Sequence, residues 1–101
     1  MVKTNQQIHD EILAHVRQEG SLPSNWYVGI ACQPTECLFN RHCVPAQNSW
    51  WIYRQAASSE DARVVEKFLL DTYKFDGGGG GGDNETLYVY AYKKIPLQTK
   101  Q

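Results

Sequence analysis

The chain is short of most things that would place it at once. It has no run of about 18 apolar residues, so no segment reads as a transmembrane helix. It has no excess of charge: 10 lysines and arginines stand against 11 aspartates and glutamates, a formal net charge of −1. That balance excludes the strongly basic class of nucleic-acid binders. It leaves room for a local basic face, because Arg41, Arg54 and Arg63 lie centrally and Lys93 and Lys94 near the end. Cysteines are few and odd in number: Cys32, Cys37 and Cys43 fall within twelve residues. Such a set is no secreted disulfide framework, and the expected setting is the reducing cytoplasm. Met1-Val2-Lys3-Thr4-Asn5 lacks the apolar core of a signal peptide.

What the chain does have is glycine in one place. Of its 101 residues, 8 are glycines, and positions 77–82 are all glycine. An ordered run without Cβ atoms carries a large entropy cost. The run either is a flexible connector or brings bare backbone N–H groups against a phosphate or a nucleic-acid strand. It is no Walker loop, since no Lys-Ser/Thr follows and a strand comes next, not a helix. The length suits one core. We expect a single α+β domain over 1–95, a Gly-rich loop over 76–85 and a disordered tail over 96–101.

Local patterns give the order of elements. Thr4 and Gln7 make a capping box for a helix over 4–19, in which Ile8, Ile12, Leu13 and Val16 recur at helical spacing until Gly20. A connector over 21–24 leads to a strand over 26–31. Gly29 inside it marks a bulge or a close backbone approach. Pro34-Thr35 opens a short helix over 35–43, with Leu38, Phe39 and Cys37 inward, and Pro45 stops it. A strand over 49–56 puts Trp50, Ile52 and Arg54 on one face and Trp51, Tyr53 and Gln55 on the other. Ser58 or Ser59 caps a third helix, with Glu60 and Asp61 in its first turn. Ala62, Val65, Leu69 and Tyr73 form its apolar stripe, broadened by Phe68. The last strand, 86–93, alternates Leu87, Val89 and Ala91 with Tyr88, Tyr90 and Tyr92, the first set being the core face. His9 and His15 read as surface residues. The result is a small three-stranded sheet with about three helices packed on it; strand sense stays open.

The run Trp26-Tyr27-Val28-Gly29-Ile30, the short helix ending Asn40-Arg41-His42, the later helix bearing Glu66 and the downstream Asn84 resemble, in that order, the GIY-YIG nuclease family. The resemblance spans roughly residues 26–84. It implies a GIY-YIG-like fold, with Tyr27-Val28-Gly29 as the second half of the name motif, Glu66 as metal ligand and Asn84 as the loop asparagine. Two parts of the pattern are absent. No Gly-Ile-Tyr strand precedes Tyr27, so the C-terminal strand has to complete the sheet. The position of the family's essential arginine, about ten residues after the tyrosine, is Cys37. Arg41, one turn further on, and Arg54, on the second strand, are the substitutes in view.

The chemistry can be assembled from the residues alone. Phosphodiester hydrolysis needs a metal on a carboxylate, a base for water and a cation on the phosphate. Glu66 with Mg²⁺ or Mn²⁺, Tyr27 and Arg41 supply those types. Gly29, His42, Arg54, Gly79, Gly80, Asn84 and Tyr90 are the accompanying ligand-binding candidates. Without a well-placed cation for the developing phosphorane charge, catalysis is weakened or lost. Cys32, Cys37, His42 and Cys43 offer zinc-type ligands but lack the paired Cys-x2-Cys knuckle, and zinc is set aside. Each residue also has a plain structural role open to it: Glu66 as a solvated helix residue beside Arg63 or Lys67, Tyr27 as a core aromatic, Arg41 as a surface residue. The expected function is a nucleic-acid or phosphate-ligand binding domain with weakened or lost nuclease chemistry. The alternative is a small protein-interaction module, an inhibitor or regulator, that uses its tryptophan- and tyrosine-rich faces. Neither involves a membrane.

Overall fold

The structure, a computed structural model, describes residues 2–47, 49–77, 86–96 and 99. Helix α1 (Asn5–Glu19) starts at a complete capping box. The Gln7 amide donates to the Thr4 hydroxyl at 3.1 Å, and the Thr4 amide donates to the Gln7 side chain at 2.9 Å. Two orphan donors of the first turn are thereby satisfied. Gly20 closes the helix at φ 100°, where a side chain would be strained. Strand β1 (Trp26–Ala31) follows, then a single α-helical turn, α2 (Pro34–Glu36), continued by a π-helical turn, Cys37–Arg41. Strand β2 (Trp51–Gln55), helix α3 (Ser59–Tyr73) and strand β3 (Tyr88–Lys93) complete the order. The Ser58 hydroxyl caps α3 by accepting from the Asp61 amide at 3.1 Å.

The three strands form one antiparallel sheet in the order β1-β3-β2. The last strand is therefore central, and β1 and β2 each pair with it and not with each other. Tyr27 stands opposite Tyr92, Gly29 opposite Tyr90, and Tyr53 opposite Tyr90 from the other side.

Period-2 alternation divides the sheet into two faces with different chemistry. On one, Trp26, Val28, Ile52, Val89 and Ala91 meet Ile8, Ile12 and Val16 of α1 and Ala62, Val65 and Leu69 of α3. Full burial of each large aliphatic side chain here contributes on the order of 1.5–3 kcal/mol. On the other, Tyr90 and Tyr92 pack with Ala31, Leu38 and Val44, flanked by Tyr27, Cys37, Phe39, Trp51 and Tyr53.

Both sheet edges are blunted. Along β1, the Val28 amide donates to Asp76 O at 2.8 Å and the Asp76 amide to Trp26 O at 2.9 Å. Along β2, the Lys3 amide donates to Gln55 O and Arg54 Nη1 to Tyr53 O, each at 2.8 Å. Occupied edge carbonyls remove the template for strand addition.

A buried carboxylate ties α1 to the sheet. Glu19 accepts from Trp26 Nε1 at 3.1 Å, from Lys93 Nζ at 2.7 Å, and from the Ser21 amide and hydroxyl. Burial opposes its ionisation, but the donors from Lys93, Ser21 and Trp26 outweigh it and hold the carboxyl at about 2.

Several expectations need correction. Phe68 does not broaden the α3 stripe: it is 42% exposed, and Glu66 takes the inward position at 6%. The stripe through Ala62, Val65 and Leu69 advances by three and four residues, which turns position 66 inward and 68 out. His9 and His15 are not surface residues. His9 packs on Phe68 and Tyr73, His15 sits edge-on between Trp26 and Trp50, and Nε2 of each is buried. The helix expected over 35–43 ends at Arg41 with a π turn. β3 begins at Tyr88, not residue 86, and β2 spans only Trp51–Gln55.

Candidate functional site

The tyrosine face of the sheet carries a polar aromatic cluster built from three chain segments. β1 supplies Tyr27 and β3 supplies Tyr90 and Tyr92. The loop after the π turn supplies His42, buried at 8% exposure. The π turn sets that placement: the His42 amide donates to Cys37 O at 2.9 Å, a five-residue closure that adds one residue to the turn. Cys43 then reverses the chain with a left-handed φ of 56°.

The histidine is held at both nitrogens. Nε2 lies 2.8 Å from the Tyr90 hydroxyl and Nδ1 3.1 Å from the Tyr92 hydroxyl. A neutral imidazole donates from one nitrogen and accepts at the other, so the two hydroxyls play opposite roles toward it. Tyr27 covers the same ring at a centroid distance of 4.7 Å and stacks on Tyr92 at 5.3 Å and Tyr90 at 6.4 Å.

Gly29 is the floor of the cluster. A Cβ there would fall 2.6 Å from both Cζ and the hydroxyl oxygen of Tyr90. The ring of Tyr90 thus lies across the bare backbone of β1, and only glycine permits it. A second close approach occurs at Gly77, the first residue of the glycine run, where a Cβ would meet Val28 O at 2.6 Å.

Burial is the main cause that pushes the Tyr90 hydroxyl well above the usual phenol range. The neighbourhood of Cys37, Tyr27, Tyr92 and the Glu66 carboxylate adds to it. Tyr92 is raised too, by burial first and then by Tyr27 and Asp76. Both hydroxyls therefore stay protonated at neutral pH. Glu66 reaches the electrostatic surroundings of Tyr90 from α3, on the opposite side of the sheet.

Beside the cluster lies a cleft of about 340 Å³, lined by Ile30, Ala31, Cys32, Gln33, Glu36, Cys37, Arg41 and Thr86. Its walls are the end of β1, the α2–π segment and the residue two before β3. Cys37 connects cleft and cluster, packing into the tyrosine core while facing the opening. Burial raises its thiol above the usual range despite the opposing charge of Arg41. That thiol is a poor nucleophile at neutral pH. Cys32 is exposed and Cys43 half-buried, both as free thiols.

The structure thus gathers Tyr27, Gly29, His42 and Tyr90, with Arg41 on the adjoining cleft and Glu66 on α3 across the sheet. It separates Arg54 from them. Arg54 is on the helix face of β2, where Nε donates to Glu11 at 2.5 Å. That contact, helped by Lys3 and opposed by burial, pulls the Glu11 carboxyl below its usual value. Gly79, Gly80 and Asn84 lie outside the described residues. Among the described residues no group of three or more metal-type side chains gathers. Tyr92 shares the parity of Tyr90 and was legible from the alternation, whereas Thr86, buried at 6% in the cleft, was not foreseen and has no sequence signal.

Comparison of the chain with protein-family models, with curated proteins and with solved structures finds no match. The class defined by fold and site is a small α+β domain with a central C-terminal strand and a histidine-bridged tyrosine cluster.

Proposed function

We propose that the tyrosine face binds a phosphodiester, in a nucleic acid or a related phosphate-bearing ligand, on a scaffold related to the GIY-YIG nucleases with weakened catalysis. The observation that carries this reading is the convergence of Tyr27, His42 and Tyr90 over Gly29, beside a cleft bordered by Arg41. These residues come from sequence positions far apart. Packing alone would be served by apolar side chains, without a buried histidine.

In this reading the Tyr90 hydroxyl donates to a phosphate oxygen, its direction set by His42. Arg41 supplies the cation at the cleft. Glu66, on α3, is the carboxylate that would hold a divalent ion, Mg²⁺ or Mn²⁺. That ion would polarise the phosphoryl group and lower the pKa of a bound water. Cys37, half-buried and raised in pKa, adds no positive charge where the related enzymes keep an arginine, which is why binding is favoured over turnover.

The test is incubation with labelled single- and double-stranded DNA and RNA in Mg²⁺ or Mn²⁺, beside Glu66→Gln and Arg41→Gln. Salt-sensitive retention, reduced in Arg41→Gln, supports the reading. Retention by none of the three proteins would end it.

A second reading has one observation in its favour. His9, Val64, Val65 and Phe68 line a largely apolar groove of about 200 Å³ between α1 and α3, with Val64 57% and Phe68 42% exposed. Such a patch suits a protein partner.

A further inference from the structure

We infer that the nucleic acid this face accepts is single-stranded and is held mainly by base stacking on Trp51, Tyr53 and Tyr88. The inference rests on the phosphodiester reading above and names its substrate class.

Charge decides against a duplex. A protein that grips duplex DNA by its backbone makes on the order of 6–10 phosphate contacts with Lys and Arg. Here four cations are already engaged in ion pairs. Lys3 and Arg54 pair with Glu11, Lys93 with Glu19 and Lys94 with Asp76. Among the described residues, Arg17, Lys67 and Lys74 have no ion pair, but they belong to α1, α3 and the α3 cap, across the sheet from the tyrosines. On the tyrosine side only Arg41 remains, among the described residues, for a ligand phosphate. One such cation anchors a strand without holding a double helix.

Aromatic surface is what this face offers instead. Beyond the covered cluster, Trp51 and Tyr53 of β2 stand with rings parallel to within 5° at a centroid distance of 6.2 Å. Tyr88 of β3 meets Tyr53 edge-on at 6.0 Å, and Phe39 closes the row against Trp51 at 5.1 Å. All four rings are half-buried, whereas Tyr90 and Tyr92 are buried. Every base has a π face, so stacking rings plus one anchoring cation suit unpaired bases without regard to sequence. In a duplex those faces are already stacked and unreachable. Tyr88 is two residues along the strand from Tyr90, so the row continues from the phosphate cluster at strand spacing, about 7 Å. The cleft of about 340 Å³ has the scale of a single small ligand unit, not of a helix.

The experiment is fluorescence anisotropy with labelled oligo(dT) and oligo(rU) of about eight nucleotides, and with a hairpin duplex, over a salt series. Single strands should bind at least about tenfold more tightly than the hairpin. The slope of log K against log salt should be shallow, about −1, as for one or two phosphates. Tyr53→Leu and Tyr88→Leu should each weaken single-strand binding about tenfold, with the far-UV CD spectrum retained. If a leucine variant does not fold, bound oligo(dT) should protect Tyr53 and Tyr88 of the unaltered protein from nitration by tetranitromethane. Binding sensitive to Arg41→Gln but equal for hairpin and single strand, or with both tyrosines unprotected, would overturn this inference and leave the phosphate site standing. Retention of neither nucleic acid would overturn both.

Discussion

The two faces of the sheet are built to different rules. The helix face is aliphatic, with Ile8, Ile12, Val28, Leu69 and Val89 fully buried, and its polar groups are engaged in structural ties such as Glu19 to Lys93 and Glu11 to Arg54. The tyrosine face is aromatic and polar. Its buried groups hydrogen-bond to one another around His42, and among the described residues a short helical segment and a loop cover it. A chain of this size needs one apolar core to fold. The second layer, richer in polar atoms than stability requires, is where function is to be sought.

The largest break in the comparison should come from Leu69→Ala on the helix face. It should lose about 2–5 kcal/mol of stability in urea unfolding, while folded protein keeps its nucleic-acid affinity. Tyr90→Phe, on the neighbouring face, should cost less, about 1–3 kcal/mol, by leaving His42 Nε2 without its partner. It should nonetheless reduce ligand retention more than Leu69→Ala does. Gly29→Ala sharpens the same point. Its methyl group forces Tyr90 aside, with a cost of about 1–3 kcal/mol and a shift of the His42 ring resonances in NMR.

Acid should act through the helix face. Burial, and then Arg54, lowers the pKa of His15 from 6.5. The unfolded state therefore binds the proton more readily, and this contribution is complete above 6.5 and lost as pH falls through the folded value. Glu19, depressed from 4.5 to about 2, contributes fully above 4.5 and loses its share between those values. Thermal scans should show the melting temperature falling below pH 6.5 and again below 4.5. Glu19→Gln should flatten the second limb and leave the first.

The smallest effect is expected at the turn behind His42. Cys43 holds φ at 56°, and Cys43→Gly should relieve strain for a gain of about 0.5–1 kcal/mol in denaturant melts.

The backbone elements were largely legible because their signals are local. The Thr4–Gln7 box, the Ser58 cap, Gly20 and the Leu87-to-Tyr92 alternation each act within a few residues. The small α+β class follows from them. The strand order does not, since nothing in a short motif says that β3 enters between β1 and β2. The site was legible in part for the same reason. Tyr27, Gly29 and Tyr90 could be named from strand patterns, but that Tyr90 lies over Gly29 depends on a register between residues far apart in sequence. Arg54 was misplaced relative to the tyrosines although its parity with Ile52 was visible, because parity alone does not say which face holds the site. His15 was misread because helical spacing from His9 says nothing of Trp26 and Trp50, which enclose it.

The most direct test of this division is a ¹H–¹⁵N NMR titration of the protein with oligo(dT). The account predicts shifts concentrated at Tyr27, Arg41, His42, Tyr53 and Tyr88, with α1 and the α3 groove residues Val64 and Phe68 unmoved. Shifts confined to the groove of His9, Val64 and Phe68, or none at any residue, would contradict it.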